Sequence, residues 1–278
     1  MKIMIDKMEI YYPDVRQSWG IVGIVILSML LFGPVNILLN NVLGREISFL
    51  IYYLLAMGVP FVIVHSIRSK RTGISKYNLS LSSVKIMVLV TISTIAIQTG
   101  IISPIVNLLP MPEFMKKIFL ELANQNGIFS FVAIVIVAPI LEELIFRGII
   151  LNGLLRKYSP AKSIIISSIL FGIVHLNPWQ FIGALIIGLF SGWIYYKTRK
   201  LTLAIMIHFV NNLIAFIGMQ FTDAETMMNE SLTELYGGTA NLILITGGAI
   251  IVSIIGVFLL RKEFDSLKIN NGNTLHTI

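Results

Sequence analysis

Long apolar runs separated by short polar stretches make up most of the chain from residue 19 onward. Apolar runs of about 18 residues or more are typical of membrane helices. The pattern predicts eight membrane spans, at about 19–43, 47–67, 86–109, 128–153, 162–177, 179–197, 201–221 and 240–260. We therefore predict an all-α, polytopic membrane protein.

The segments outside these spans are too short to form a soluble domain. We predict a cytoplasmic N-terminal segment at 1–18 without a removable signal peptide, one transmembrane helical domain at 19–260, and a polar, disordered cytoplasmic tail at 261–278. The segment Met111–Gly127 has apolar residues at helical spacing. It is either an amphipathic helix on the outer membrane surface or a solvated loop.

Small residues recur every four positions in the sixth span, at Ala184, Gly188 and Gly192. Such a ladder lets the backbones of two membrane helices approach closely. We therefore expect the sixth helix to pack tightly on a neighbour.

Composition agrees with a membrane location, because 56% of the 278 residues are hydrophobic and only 13% are charged. The chain has no cysteine, which excludes disulfides, thiolate nucleophiles and Cys-based zinc sites.

Seventeen of the 21 basic residues fall on one side of the predicted membrane, three on the other, and Arg147 within a span. By the positive-inside rule both termini are cytoplasmic. An odd number of spans would break this alternation, and the scattered charges do not favour nucleic-acid binding.

The fourth predicted span contains the stretch APILEELIFRG, which places three charges in an apolar run. A charge at the centre of a membrane helix costs about 2.5–3.5 kcal/mol. Glu143 and Arg147 are four residues apart and can form an ion pair, whereas Glu142 is rotated by about 100° from Glu143. Pro139 removes one backbone hydrogen bond and should loosen the helix near Glu142. These charges form either a working site or a structural pair with a spare carboxylate.

Other predicted spans contain polar residues at a similar depth. His175 lies in the fifth span, and His208 and Asn212 lie on one face of the seventh. Polar groups in a bilayer should face the bundle interior. We therefore expect these three side chains to converge with Glu142, and His65 to be a packing residue.

Such a centre suits two kinds of hydrolytic chemistry. A glutamate and a histidine can take a proton from a water, while His208 and Asn212 donate hydrogen bonds to the oxyanion that forms. Alternatively, Glu142, His175 and His208 could bind a divalent metal such as zinc. The spacing favours Glu142 as the base and leaves the metal undecided. The chain lacks the His-Glu-x-x-His zinc motif, the rhomboid serine motif and any Gly-Asp pair.

Three motifs resemble those of the CPBP intramembrane proteases, the family of the CAAX prenyl protease type 2 enzymes and their bacterial Abi or bacteriocin-processing relatives. They are EELIFRG, FGIVH and HFVNN, in that order, within about Phe131–Phe216. The resemblance implies eight helices and peptide-bond hydrolysis in or at the membrane. It also implies that Glu142 is the catalytic glutamate and His175 its partner at the water. His208 and Asn212 would bind the oxyanion or a metal.

The implied substrate is a membrane-associated peptide or protein, in the cell membrane of a bacterium. Short loops and an Ile-rich composition argue for a bacterial member and against a prenylated substrate. A non-catalytic immunity or binding protein and a proton-coupled transporter are the alternatives, although the internal repeats expected of a transporter are absent from the sequence. Oligomeric state is left open.

Overall fold

The computed structural model describes residues 11–124, 127–221, 226 and 230–273, and over these residues the regular structure is entirely helical. The helices are α1 Val15–Leu43, α2 Arg45–Thr72, α3 Val84–Asn107, α4 Glu113–Ala123, α5 Ile128–Leu154, α6 Pro160–Ile173, α7 Pro178–Thr198, α8 Leu201–Phe221, α9 Leu232–Leu235 and α10 Thr239–Asn273. Parts of the predicted N-terminal segment, the outer loop after α8 and the last five residues lie outside the described residues. The predicted all-α architecture is confirmed.

Seven of the described helices are long and apolar enough to cross a membrane: α1, α2, α3, α5, α7, α8 and α10. The chain is therefore a multi-pass membrane protein, as predicted. Of the eight predicted spans, seven correspond to these helices, and the fifth forms a shorter apolar helix.

That fifth span, expected at 162–177, ends at Ile173 as the 14-residue helix α6. Leu176 has a positive φ of 58°, and the Asn177 side chain caps α7 by accepting from the Gln180 N–H at 2.8 Å. Fourteen residues extend only about 21 Å, less than the hydrocarbon thickness of about 30 Å. The cytoplasmic location of both termini depends on an even number of crossings and stays a prediction.

Two peripheral segments also form helices. The helix α4 confirms the helical alternative for Met111–Gly127, and Phe114 and Ile118 on it are exposed; its position on the outer membrane surface stays a prediction. The tail was expected to be disordered after Arg261, but α10 continues to Asn273. A helix already formed in the membrane extends one hydrogen bond per residue without a new nucleation step, so the polar residues continue it.

The helix α5 lies at the centre of the bundle and packs against α2, α6, α7 and α8. Its second half is almost completely buried, including Phe146, Ile149 and Ile150. The charged stretch of the sequence is therefore surrounded by protein, as expected for polar groups in a membrane domain.

The predicted ladder on α7 makes the expected close approach, with α6 as the neighbour. Gly188 lies against Ser168, and Gly192 lies against Ile164. Both contacts are possible because Gly188 and Gly192 have no side chain.

A Gly188→Ala substitution should destabilise the protein. The new Cβ would lie 3.0 Å from the Ser168 Cβ and 3.2 Å from its Cα, and overpacking of this kind costs about 1–3 kcal/mol. We expect a lower midpoint of thermal unfolding in detergent. Gly248→Ala on α10 is the control, since its Cβ would have no neighbour within 4 Å. Equal midpoints for the two variants would contradict the predicted packing.

Candidate active site

The helix α5 departs from regular α-helical geometry on both sides of the glutamates. Val132–Val137 and Leu144–Leu151 are π-helical, and Ala138–Glu143 between them is α-helical. Pro139 begins this central segment and has no backbone N–H to donate. The irregular geometry therefore lies on both sides of Glu142, while the segment that contains Glu142 stays α-helical. Turns of π-helix are often found at functional sites.

Glu143 and Arg147 form the buried ion pair that their spacing predicts. Arg147 Nη1 lies 2.8 Å from Glu143 Oε1, and the two side chains are 1% and 0% exposed. The Arg147 guanidinium also lies over the ring of Phe171, 4.4 Å from its centroid. On the other carboxylate oxygen of Glu143, the Ser191 hydroxyl donates at 3.4 Å. Glu143 is therefore held from two sides.

His208 joins the two glutamates. Its Nδ1 lies 3.1 Å from Glu143 Oε1. Because that carboxylate accepts from Arg147 as well, Nδ1 is the nitrogen that carries a proton. Its Nε2 faces the neighbouring carboxylate, 4.0 Å from Glu142 Oε2. Glu143 thus orients the imidazole, and the opposite nitrogen faces Glu142.

Glu142 uses its two carboxylate oxygens differently. The Tyr53 hydroxyl on α2 donates to Oε1. Oε2 is buried and makes no hydrogen bond to the described part of the chain, although the residue as a whole is only 6% exposed. As expected, Arg147 pairs with Glu143 and not with Glu142. Glu142 is anchored at one oxygen and available at the other.

His175 was predicted to lie within the fifth span. It lies instead just beyond the end of α6. Its Nδ1 lies 2.9 Å from the Phe171 carbonyl oxygen. A carbonyl oxygen only accepts, so Nδ1 donates and Nε2 is an acceptor in the neutral ring. Phe171 packs edge-on against His175 and also against His208, with ring centroids 5.2 and 5.5 Å apart. His175 therefore borders the same aromatic ring as His208.

Asn212 lies one turn after His208 on α8. Its Nδ2 donates to the Ile134 carbonyl oxygen at 2.9 Å, which ties α8 to the first π-helical segment of α5. The amide nitrogen carries a second hydrogen that this bond does not use. The expected role of Asn212 at an oxyanion stays a prediction.

The donors expected for a metal are Glu142, His175 and His208. Within the described ranges, no three His, Asp or Glu side chains are arranged to hold a metal ion, whereas a catalytic zinc takes three protein ligands. As placed, these residues do not fit a three-ligand site. Metal binding stays a prediction.

Tyr53, Ser191 and the ring of Phe171 contribute to the site without having been predicted to do so. Tyr53 puts a phenol hydroxyl in the middle of an apolar span, and such a group needs a partner. That is the signal by which it could have been found. Ser191 lies 48 residues after Glu143 in the sequence, and no spacing signal there indicates their contact.

Comparison with known proteins finds a family model and curated relatives that each match part of the chain. Residues 124–214 match the family model described as type II CAAX prenyl endopeptidase Rce1-like. The "Putative membrane peptidase YdiL" of Bacillus subtilis is 32% identical over 100 residues, which cover 36% of this chain and 41% of YdiL. The UPF0177 protein YxdF of Lactococcus lactis is 26% identical over 133 residues, 48% of this chain and 70% of YxdF. No solved structure matches the chain.

These matches confirm the family resemblance that the three motifs indicate. The matched region contains Glu142, Glu143, Arg147, His175, His208 and Asn212. Both relatives are bacterial, in keeping with the expected bacterial cell membrane.

Proposed function

We propose that the protein is an intramembrane endopeptidase that hydrolyses a peptide bond of a membrane-associated protein or peptide, with a water activated by Glu142. The observation that carries this proposal is the buried Glu142 Oε2, which accepts no hydrogen bond from the residues that the structure describes and lies 4.0 Å from His208 Nε2. An acceptor in that position costs free energy unless a ligand or a water satisfies it.

A single water fits between these two atoms, since it can lie about 2.8 Å from each. Glu142 takes a proton from this water while the water oxygen attacks the carbonyl carbon. The proton then passes to the amide nitrogen as the C–N bond breaks. The first products are a carboxylic acid and an amine, the acid then transfers its proton to the amine to give a carboxylate and an ammonium ion, and Glu142 returns to its ionised state.

The remaining polar groups are proposed to orient the water and bind the oxyanion. Glu143 fixes His208 through Nδ1, so that Nε2 is positioned before the substrate binds. The unused Asn212 hydrogen and the Nε2–H of a doubly protonated His208 would stabilise the oxyanion. The acceptor Nε2 of His175 would hold the second hydrogen of the water. Preorganised groups of this kind need no rearrangement during the reaction.

Tyr53→Phe should slow cleavage by about tenfold or more. The substitution removes the hydroxyl that holds Glu142 Oε1, and a hydrogen bond to a charged group contributes about 1.5–3 kcal/mol. The measurement is the rate of cleavage of a peptide substrate by purified protein. Tyr52→Phe is the matched control, because the Tyr52 hydroxyl contacts the Met29 carbonyl oxygen at 3.5 Å instead. Equal losses in both variants would mean that Tyr53 does not act through Glu142.

The function itself is tested by mass spectrometry of membrane and secreted peptides. Cells with the wild-type protein are compared with cells containing Glu142→Gln at matched abundance. We expect a set of peptide termini to be present only with the wild type, and these termini name candidate substrates. Identical peptide profiles, together with a wild-type phenotype that survives the substitution, would favour a binding or immunity protein and overturn the proposal.

A further inference from the structure

A basic cavity lies at one end of the helix bundle, away from the glutamates. It has a volume of about 540 Å³ and lies where α2, α5 and α7 end and α8 begins. Its lining includes four basic side chains and no acidic one: Arg68, Lys76, Arg156 and Arg199. This is the end of the bundle that the distribution of basic residues predicts to be cytoplasmic.

The buried Arg68 gives this cavity an unsatisfied donor. Arg68 is only 3% exposed. Its Nη2 donates to the Lys76 carbonyl oxygen at 3.3 Å, and its guanidinium lies over the ring of Tyr77 at 4.6 Å. Its Nη1 has no hydrogen-bond partner among the residues described. A buried donor without a partner costs free energy, and an anion in the cavity would remove that cost.

The walls of the cavity are held in place by the segment between α2 and α3. The Leu201 N–H donates to the Asn78 carbonyl oxygen at 2.8 Å, and the Thr202 hydroxyl donates to the Ser80 carbonyl oxygen at 2.7 Å. These bonds fix the segment to the start of α8. The cavity is therefore formed before any ligand enters, which lowers the entropic cost of binding.

Tyr77 lines the cavity and links it to the centre of the bundle, and its hydroxyl lies 2.8 Å from His65 Nδ1. Burial raises the pKa of Tyr77 above its ordinary value, and the Arg68 guanidinium partly opposes this. The hydroxyl therefore stays protonated at neutral pH. The Tyr77 ring also lies directly against Gly148, where a Cβ would be 2.9 Å from Cε1. The cavity thus adjoins the back of α5, one residue after Arg147.

We propose that this cavity binds the phosphate of an anionic ligand and that the headgroup of an anionic phospholipid supplies it. Guanidinium groups bind phosphate through paired N–H donors. Basic pockets between the ends of membrane helices are suited to lipid headgroups, since the headgroup layer lies at that level. This phosphate site is separate from Glu142 and does not depend on the proposed hydrolysis.

The test measures lipid binding to the purified, delipidated full-length protein by native mass spectrometry. The protein is titrated with phosphatidylglycerol, with phosphatidylcholine and, in a separate arm, with inorganic phosphate. We expect the first phosphatidylglycerol to bind at least about tenfold more tightly than phosphatidylcholine. The double variant Arg156→Gln/Arg199→Gln should weaken that binding by about tenfold or more, because two of the four cations are removed.

A matched control is the double variant Lys70→Gln/Lys162→Gln. It makes the same change in charge at the same end of the bundle, at exposed residues outside the cavity lining, and should bind as the wild type does. Arg68→Gln tests the buried donor directly. The exposed Arg156 and Arg199 keep the test decisive if that variant fails to fold.

The two arms distinguish the sources of the phosphate. Tight phosphatidylglycerol binding that inorganic phosphate does not displace supports a lipid headgroup. Displacement by inorganic phosphate, with loss in the Arg156→Gln/Arg199→Gln variant, supports the same site with a soluble phosphate as its ligand. Equal affinity for the two lipids, or unchanged affinity in the Arg156→Gln/Arg199→Gln variant, would overturn the proposal.

Discussion

The Glu142→Gln variant should lose peptide-bond hydrolysis and keep its fold. The amide has the shape of the carboxyl group and can still accept from the Tyr53 hydroxyl, but it cannot take a proton from water. General acid–base catalysis contributes about 10²–10⁴ in rate, so we expect a loss of at least about 10²-fold. The measurements are the cleavage rate of a peptide substrate and the midpoint of thermal unfolding.

Glu263→Gln is the control for this substitution. Glu263 pairs with Lys85 at a Nζ–Oε2 distance of 2.5 Å, far from the candidate site in the sequence and partly exposed. The same chemical change there should leave the cleavage rate unchanged within about twofold, because a surface ion pair contributes little. If Glu142→Gln retained more than a tenth of the wild-type rate, another group would have to be the base.

The Arg147→Met variant should be strongly destabilised. Methionine leaves Glu143 with the hydrogen bonds of His208 and Ser191 but without its counter-charge, in a site where the carboxylate is 0% exposed. Removal of one partner of a buried ion pair costs about 3–5 kcal/mol. We expect a comparable fall in the free energy of unfolding, measured by denaturation in detergent, and a loss of cleavage because His208 loses its orientation.

The double variant Glu143→Gln/Arg147→Met separates charge from packing. It removes both charges, and replacing a whole buried pair is often close to neutral. We therefore expect it to recover most of the stability that Arg147→Met loses. Equal stability of Arg147→Met and the wild type would show that the ion pair is not structurally important. Failure of the double variant to recover would instead assign the loss to the packing of Arg147 on Phe171.

Features set by hydrophobicity and by spacing within one helix could be predicted from the sequence. Long apolar runs need no knowledge of their neighbours, so the membrane character is confirmed. The Glu143–Arg147 pair follows from the rise and turn of a single helix. The contact of Gly188 with α6 follows from the spacing of small residues, although the identity of the neighbour does not.

Features set by long-range packing or by a local turn could not be predicted. Tyr53 meets Glu142 across 89 residues and Ser191 meets Glu143 across 48, and no periodicity in the sequence encodes either contact. The early end of α6 depends on the backbone at Leu176 and on the cap at Asn177. Span prediction by hydropathy does not detect such a turn within an apolar stretch.

Arrangement within the site also depends on packing. The family resemblance implied that His175 is the partner of Glu142, but the imidazole that lies beside Glu142 is that of His208. The helix α6 ends before His175, so that residue reaches the site through Phe171. To predict which histidine lies beside Glu142, one would have needed to know where each helix ends and which rotamer each side chain adopts.

The most direct test is hydrolysis by purified protein in water enriched in ¹⁸O. The wild-type protein and the Glu142→Gln variant are incubated, in the same lipid, with a synthetic peptide that spans a cleavage site found in cells. The proposed mechanism predicts a new C-terminal carboxylate that contains one ¹⁸O atom, with the wild type only. If the purified wild-type protein leaves this peptide intact while membranes containing the protein cleave it, another protease is responsible and the proposed function is wrong.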